Sequence, residues 1–136
     1  MVFLLDSNAV SDLMREDARV EVRIQALGPT DKVITCPIVR GEVLYGIERL
    51  PEGKRRAELG KKAESLFGRI PCEPIPEGAG DAYAKIKRTR ERKGFSLDEN
   101  DLWIAATASA IGATLVTRDC DFASIDELTT VDWTAT

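Results

Sequence analysis

Two kinds of apolar pattern alternate along the chain. Val2-Phe3-Leu4-Leu5, Val33-Ile34-Thr35-Cys36 and Thr114-Leu115-Val116-Thr117 are short, largely apolar runs that read as strands buried on both faces. Between them the apolar positions recur at helical spacing. Ala9 to Met14 places Val10, Leu13 and Met14 on one side. Ala18 to Leu27 does the same with Val20, Ile24 and Leu27, and Gly28-Pro29 ends it. Pro37 opens a helix to about Arg49 whose apolar side is Ile38, Val39, Val43, Leu44 and Ile47. Gly46 inside it is unfavourable by about 1 kcal/mol relative to alanine and reads as a point of close packing.

A more amphipathic helix follows from Pro51-Glu52-Gly53 to about Phe67, rich in Lys and Arg. Cys72-Glu73-Pro74-Ile75 is the weakest strand expectation, because Pro74 suits only an edge or an end. Ala79 to about Lys93 is helical. Ser96-Leu97-Asp98-Glu99 then has the form of a capping box, opening a helix to Ile111 that Gly112 stops. A short helical turn and a strand near Thr129–Val131 complete the pattern. Strands alternating with helices predict an α/β fold with a parallel sheet flanked by helices.

At 136 residues the sequence reads as one domain, residues 1–136, able to bury about 70% of its unfolded surface without staples. No internal repeat or linker interrupts it. Cys36, Cys72 and Cys120 show no CxxC spacing, so they read as reduced, mostly buried residues rather than a zinc site or disulfide framework. The first apolar run is too short for a signal-peptide core, and no later run is long enough to span a bilayer. A cytoplasmic protein is the expectation. The absence of His excludes Ser-His-Asp and Cys-His catalysis and His-ligated metals.

The net charge of -4 hides a segregation. Residues 1–51 carry 6 basic and 8 acidic side chains, residues 52–95 carry 12 and 7, and residues 96–136 carry 1 and 8. An acidic protein with a basic middle can bind a polyanion if the fold sets that middle beside a cation-filled site.

Asp6, Glu42, Asp101 and Asp119, with Asp121 close behind, each follow a strand or lie early in a helix that does. A parallel sheet turns all its carboxyl ends to one side, where ligands bind in open α/β folds. Asp6 or Ser7 also serves as a plain helix cap, and that alternative stays open. Two carboxylates about 4 Å apart repel by roughly 4 kcal/mol at an effective dielectric of 20, so convergence calls for a cation. Oxygen-only ligands suit Mg²⁺ or Mn²⁺, and a two-ion site hydrolyses phosphodiesters without histidine.

Four stretches carry a resemblance. They are Leu4-Leu5-Asp6-Ser7-Asn8, the run Arg40-Gly41-Glu42-Val43-Leu44-Tyr45-Gly46-Ile47, the run Asn100 to Ala108, and Leu115-Val116-Thr117-Arg118-Asp119 with Asp121-Phe122. In this order the chain resembles the PIN-domain nucleases, and more closely their VapC-type toxins, over essentially its whole length. The resemblance implies a three-layer α/β/α sandwich with a central parallel sheet and an endoribonuclease dependent on Mg²⁺ or Mn²⁺. It implies that Asp6, Glu42 and Asp101 are catalytic metal-binding acids, with Asp119 ranked before Asp121 as the fourth. Asn8 and Thr117 match polar positions bordering such a site. A structured RNA substrate (tRNA or rRNA), a VapB-like antitoxin and a homodimer are implied as partners.

Other residues have plainer readings. Asp98 and Glu99 are explained by capping and the field at a helix N-terminus. Asp12 and Glu48 are expected to face solvent. The run Lys85, Lys87, Arg88, Arg90, Arg92 and Lys93 reads mainly as a solvated surface, some of it joining Lys54, Arg55 and Arg56 in an electrostatic funnel for RNA. Arg40 and Arg118 sit beside acids, to contact a phosphate or pair with a carboxylate. Trp103 and Trp133 read as packing or interface residues. Two other functions stand beside the nuclease: a non-catalytic RNA- or protein-binding domain, and a phosphohydrolase with Asp6 as nucleophile. The second is weakened by Asn8, where such enzymes carry a second Asp.

Overall fold

The first strand, β1 (Val2–Leu5), becomes the centre of the sheet. The computed structural model describes residues 1–135. Helices α1 (Ser7–Met14) and α2 (Ala18–Gln25) lead from β1 to β2 (Lys32–Ile34). Four helices follow: α3 (Pro37–Glu48), α4 (Lys54–Arg69), α5 (Gly78–Arg92) and α6 (Glu99–Ile111). Strand β3 (Thr114–Val116), a 3-10 turn at Cys120–Ser124 and β4 (Thr129–Val131) complete the fold.

The sheet order is β2-β1-β3-β4 and every pairing is parallel, with Phe3 opposite Val33 and Thr114, and Leu115 opposite Thr130. Successive residues Leu4 and Leu5 are both fully buried, as is Leu115, so both faces of the sheet are covered. This is the expected α/β/α sandwich, because strands buried on both faces need helices on each side. β2 lies on one side of β1 and β3 on the other. The carboxyl ends of β1 and β3 therefore form a topological switch point, where open α/β sheets leave a crevice.

Several local expectations are corrected. Helix α1 begins at Ser7 rather than Ala9, since Asp6 itself is the N-cap. The capping box before α6 does not form: the cap position is Asp98, without a side-chain bond, and Ser96 lies outside the helix. Glu99 is instead held by α5, accepting from Lys87 Nζ at 2.8 Å and from the Tyr83 hydroxyl. Cys72–Ile75 forms no strand. A single bridge joins Cys72 to Thr35, and Pro71 and Pro74 lack the N–H groups needed to extend it. Cys36 is buried, but Cys72 and Cys120 are exposed. Gly46 is not at a close approach, since a Cβ there would meet nothing within 4 Å.

The tryptophans pack as expected. Trp133 lies against Phe3 with ring centroids 5.3 Å apart, and Trp103 stacks on Tyr83 at 4.1 Å. Arg90 departs from the solvated-helix reading: it is buried, donates to Ser124 Oγ at 2.8 Å and lies over the Phe95 ring. Among the described residues no helix is long and apolar enough to cross a membrane.

Candidate metal centre

Asp6 is placed by backbone pairing. Its N–H donates to the Val116 carbonyl at 3.1 Å, carrying the β1–β3 ladder one residue past the strand. The chain then turns into α1, and Asp6 Oδ1 accepts from the Ala9 N–H at 2.8 Å. Capping and site membership thus coincide in one carboxylate, which is only 4% exposed. Burial pushes its pKa up, opposed by hydrogen bonding from Thr117 and Ala9 and by the Arg118 charge, while Asp119 pushes it further up.

Glu42 stands in the second turn of α3, whose start is set by Pro37 after Cys36. Ser7 Oγ donates to its Oε1 at 2.5 Å and Asn100 Nδ2 to its Oε2 at 3.3 Å. These bonds tie α3 to the N-terminal ends of α1 and α6. Asp101 is in the first turn of α6 and half-buried. Its pKa is pushed up to about 6, first by burial and then by Glu42, Asp98, Asp119 and Asp6. Each of the other three acids therefore lies near enough to disfavour a charge on Asp101.

Asp119 caps the 3-10 turn after β3, accepting from the Asp121 N–H at 2.9 Å, while its own N–H donates to Thr117 Oγ1 at 3.0 Å. Asp121 is exposed and is not among the leading charges that shift Asp6 and Asp101. It does share a local group with Asp119 and Cys120, whose ligand atoms lie within 4.8 Å of one another. Asn8 is exposed in the first turn of α1, and Thr117 is buried beside Asp6. Four carboxylates from β1, α3, α6 and the turn after β3 thus share one face. The donor set has the chemistry of a hard divalent cation's ligands: it is all oxygen, and the charges of Glu42, Asp119 and Asp6 raise the proton affinity of Asp101, as uncompensated anions do.

The PIN domain family matches residues 3–128. The chain belongs to that family. Among PIN-domain relatives it is 28% identical to "Ribonuclease VapC1" of Haemophilus influenzae, covering 98% of this chain and 99% of that protein. Of solved structures, VapBC-1 from nontypeable Haemophilus influenzae superposes with a TM-score of 0.87 at 28% identity, covering 99% of this chain and all of the other. VapBC2 from Rickettsia felis, solved bound to a promoter DNA fragment, gives 0.89 at 24% identity over 98% and 99% of the two chains, a likeness of fold.

Within this PIN domain the two arginines beside the acids have separate tasks. Arg40 is exposed and lies over the Phe67 ring, 4.8 Å from its centroid. Arg118 pairs with Asp12, its Nε 3.3 Å from Oδ2, and Arg15 donates to the same carboxylate. Asp12 is therefore not solvent-facing: it is 3% exposed, compensated by two guanidiniums. Glu48 does face solvent, paired with Arg56 at 2.7 Å. Sequence reasoning missed Ser7 and Asn100 as holders of Glu42. The available signal was their position, each adjacent to one of the acids, where Ser7 reads as a cap.

Proposed function

We infer that this PIN-domain chain is an endoribonuclease toxin of the VapC kind, neutralised by a VapB-like antitoxin. The observation that carries the reading is the convergence of Asp6, Glu42, Asp101 and Asp119 at the carboxyl edge of the sheet. Likeness to a named ribonuclease over nearly the whole of both chains supports it, as do the VapBC complexes among its structural relatives.

The finer reading is hydrolysis of a phosphodiester in tRNA or rRNA with Mg²⁺ or Mn²⁺, by a homodimer. Asp6, Glu42, Asp101 and Asp119 would hold the ion. When bound, such an ion supplies positive charge against the carboxylates and a water of lowered pKa. The protein's own contribution is to fix the ligands beforehand. The Ala9 amide orients Asp6, and Ser7 with Asn100 clamps both oxygens of Glu42. The Thr117 hydroxyl holds the turn carrying Asp119. Asp119 is the fourth ligand in this reading and Asp121 lies outside the set.

The test is cleavage of end-labelled total tRNA and rRNA by purified protein with Mn²⁺, with Mg²⁺ and with chelator, beside Asp101→Asn. Discrete cuts that require the ion and vanish in the variant are expected. A folded, antitoxin-free protein that binds no metal and cuts nothing would leave a non-catalytic binding domain.

A further inference from the structure

A cleft leads away from the acids between α1, α3 and α4. It holds about 320 Å³, within the range of small-ligand sites. Its inner end is the acidic face itself, because Ser7 and its hydrogen-bond partner Glu42 both line it. The floor is apolar, made by Val43, Ile47 and Leu59. The rim is polar, with Asn8 and Ser11 from α1 and Arg55 from α4. Among the described residues Arg55 forms no ion pair, whereas its neighbour Arg56 is held by Glu48. A larger cavity of about 510 Å³, among Leu13, Ile24, Val33, Leu66 and Ile70, includes none of the four acids.

Gly46 lines the same cleft. Glycine weakens a helix interior, and here no neighbour requires it, since a Cβ would meet nothing within 4 Å. What a side chain at 46 would occupy is the open space of the cleft.

We propose that this cleft seats the nucleoside next to the scissile phosphate of an RNA strand, and that Gly46 keeps the seat open. The base lies on the apolar floor, Asn8 and Ser11 face the ribose, and the Arg55 guanidinium meets the following phosphate. Hydroxyl, amide and guanidinium around an apolar floor match a nucleotide better than an apolar protein segment. The cleft also ends at Glu42, one of the acids that would act on the adjoining phosphate. The proposal rests on the ribonuclease reading.

The test uses Gly46→Leu, Gly46→Ala and Arg55→Gln on a single-stranded RNA pool with a randomised stretch, cut with Mn²⁺ and sequenced at the new ends. Gly46→Leu is expected to lower kcat/KM on the order of 10- to 100-fold, mainly through KM, and to change the nucleotide preferred beside the cut. Gly46→Ala falls between it and the parent. Arg55→Gln raises KM and leaves the preference unaltered. Melting temperature and calorimetric Mn²⁺ binding of Gly46→Leu match or exceed the parent's, since leucine favours the helix. Parental kcat/KM and preference in Gly46→Leu overturns the nucleoside seat and gives the cleft to a protein segment. A parent that binds Mn²⁺ but cuts neither this pool nor total tRNA and rRNA overturns the ribonuclease reading itself.

Discussion

Asp101 shows what the cluster demands of a single side chain. Its folded pKa of about 6 lies above the ordinary 3.8, so in metal-free protein folding favours the protonated form. That stabilising contribution is fully present below pH 3.8 and is lost as pH rises through about 6. Asp101→Asn removes the loss. We expect the variant to abolish cleavage yet melt about 3–5 °C above the parent in chelator at pH 7.5, roughly 1 kcal/mol after allowance for solvent. The difference shrinks toward pH 5, and a variant no more stable than the parent at either pH would contradict the repulsion. Arg118 gives the converse case. Arg118→Met takes two hydrogen bonds from the buried Asp12 carboxylate, and denaturant melts should show a loss of about 1–3 kcal/mol. That these four acids, Asp6, Glu42, Asp101 and Asp119, come near one another was legible because each follows a strand or lies early in a helix that does. Asp12 was not, since its burial depends on an arginine 106 residues away.

At the scale of elements, strands β1, β2 and β3 were legible from apolar runs, and the helices from their spacing and stops. What failed were features decided by a neighbouring element. Ser96 and Glu99 have the letters of a capping box, yet α5 draws Glu99 to Lys87 and Tyr83. Ser96→Ala is accordingly expected to change stability by less than about 0.5 kcal/mol, against about 1 kcal/mol for loss of a working cap. Equilibrium unfolding measures it directly. The Cys72 strand failed for a related reason, as one bridge to Thr35 is all its prolines permit. Gly46 was legible as an anomaly of α3, but only the arrangement of α1 and α4 around it shows open space rather than close packing.

For the whole molecule, the four acids connect parts of the fold that are distant in sequence, so an ion held among them would act as a fastener as well as a reagent. Mn²⁺ at about 100 times its Kd should stabilise the parent by about 2.7 kcal/mol, a rise of about 10 °C in Tm. Asp101→Asn should show a much smaller rise, and equal rises in the two proteins would separate the ion from Asp101. The basic middle of the chain is less available than its composition suggests, because Arg90 is buried and Lys87 is engaged by Glu99. The sheet order has a further consequence in time. β1 is made first, yet its partner on the side of Asp6 is β3, so a chain still being translated carries the first acid long before the strand that sets it in place. Synthesis itself therefore delays assembly of the site until nearly all of the domain exists. A ribosome releasing a chain that stops short of Thr114 yields a β1 paired with β2 on one side and open on the other, prone to aggregate and without the means to cut.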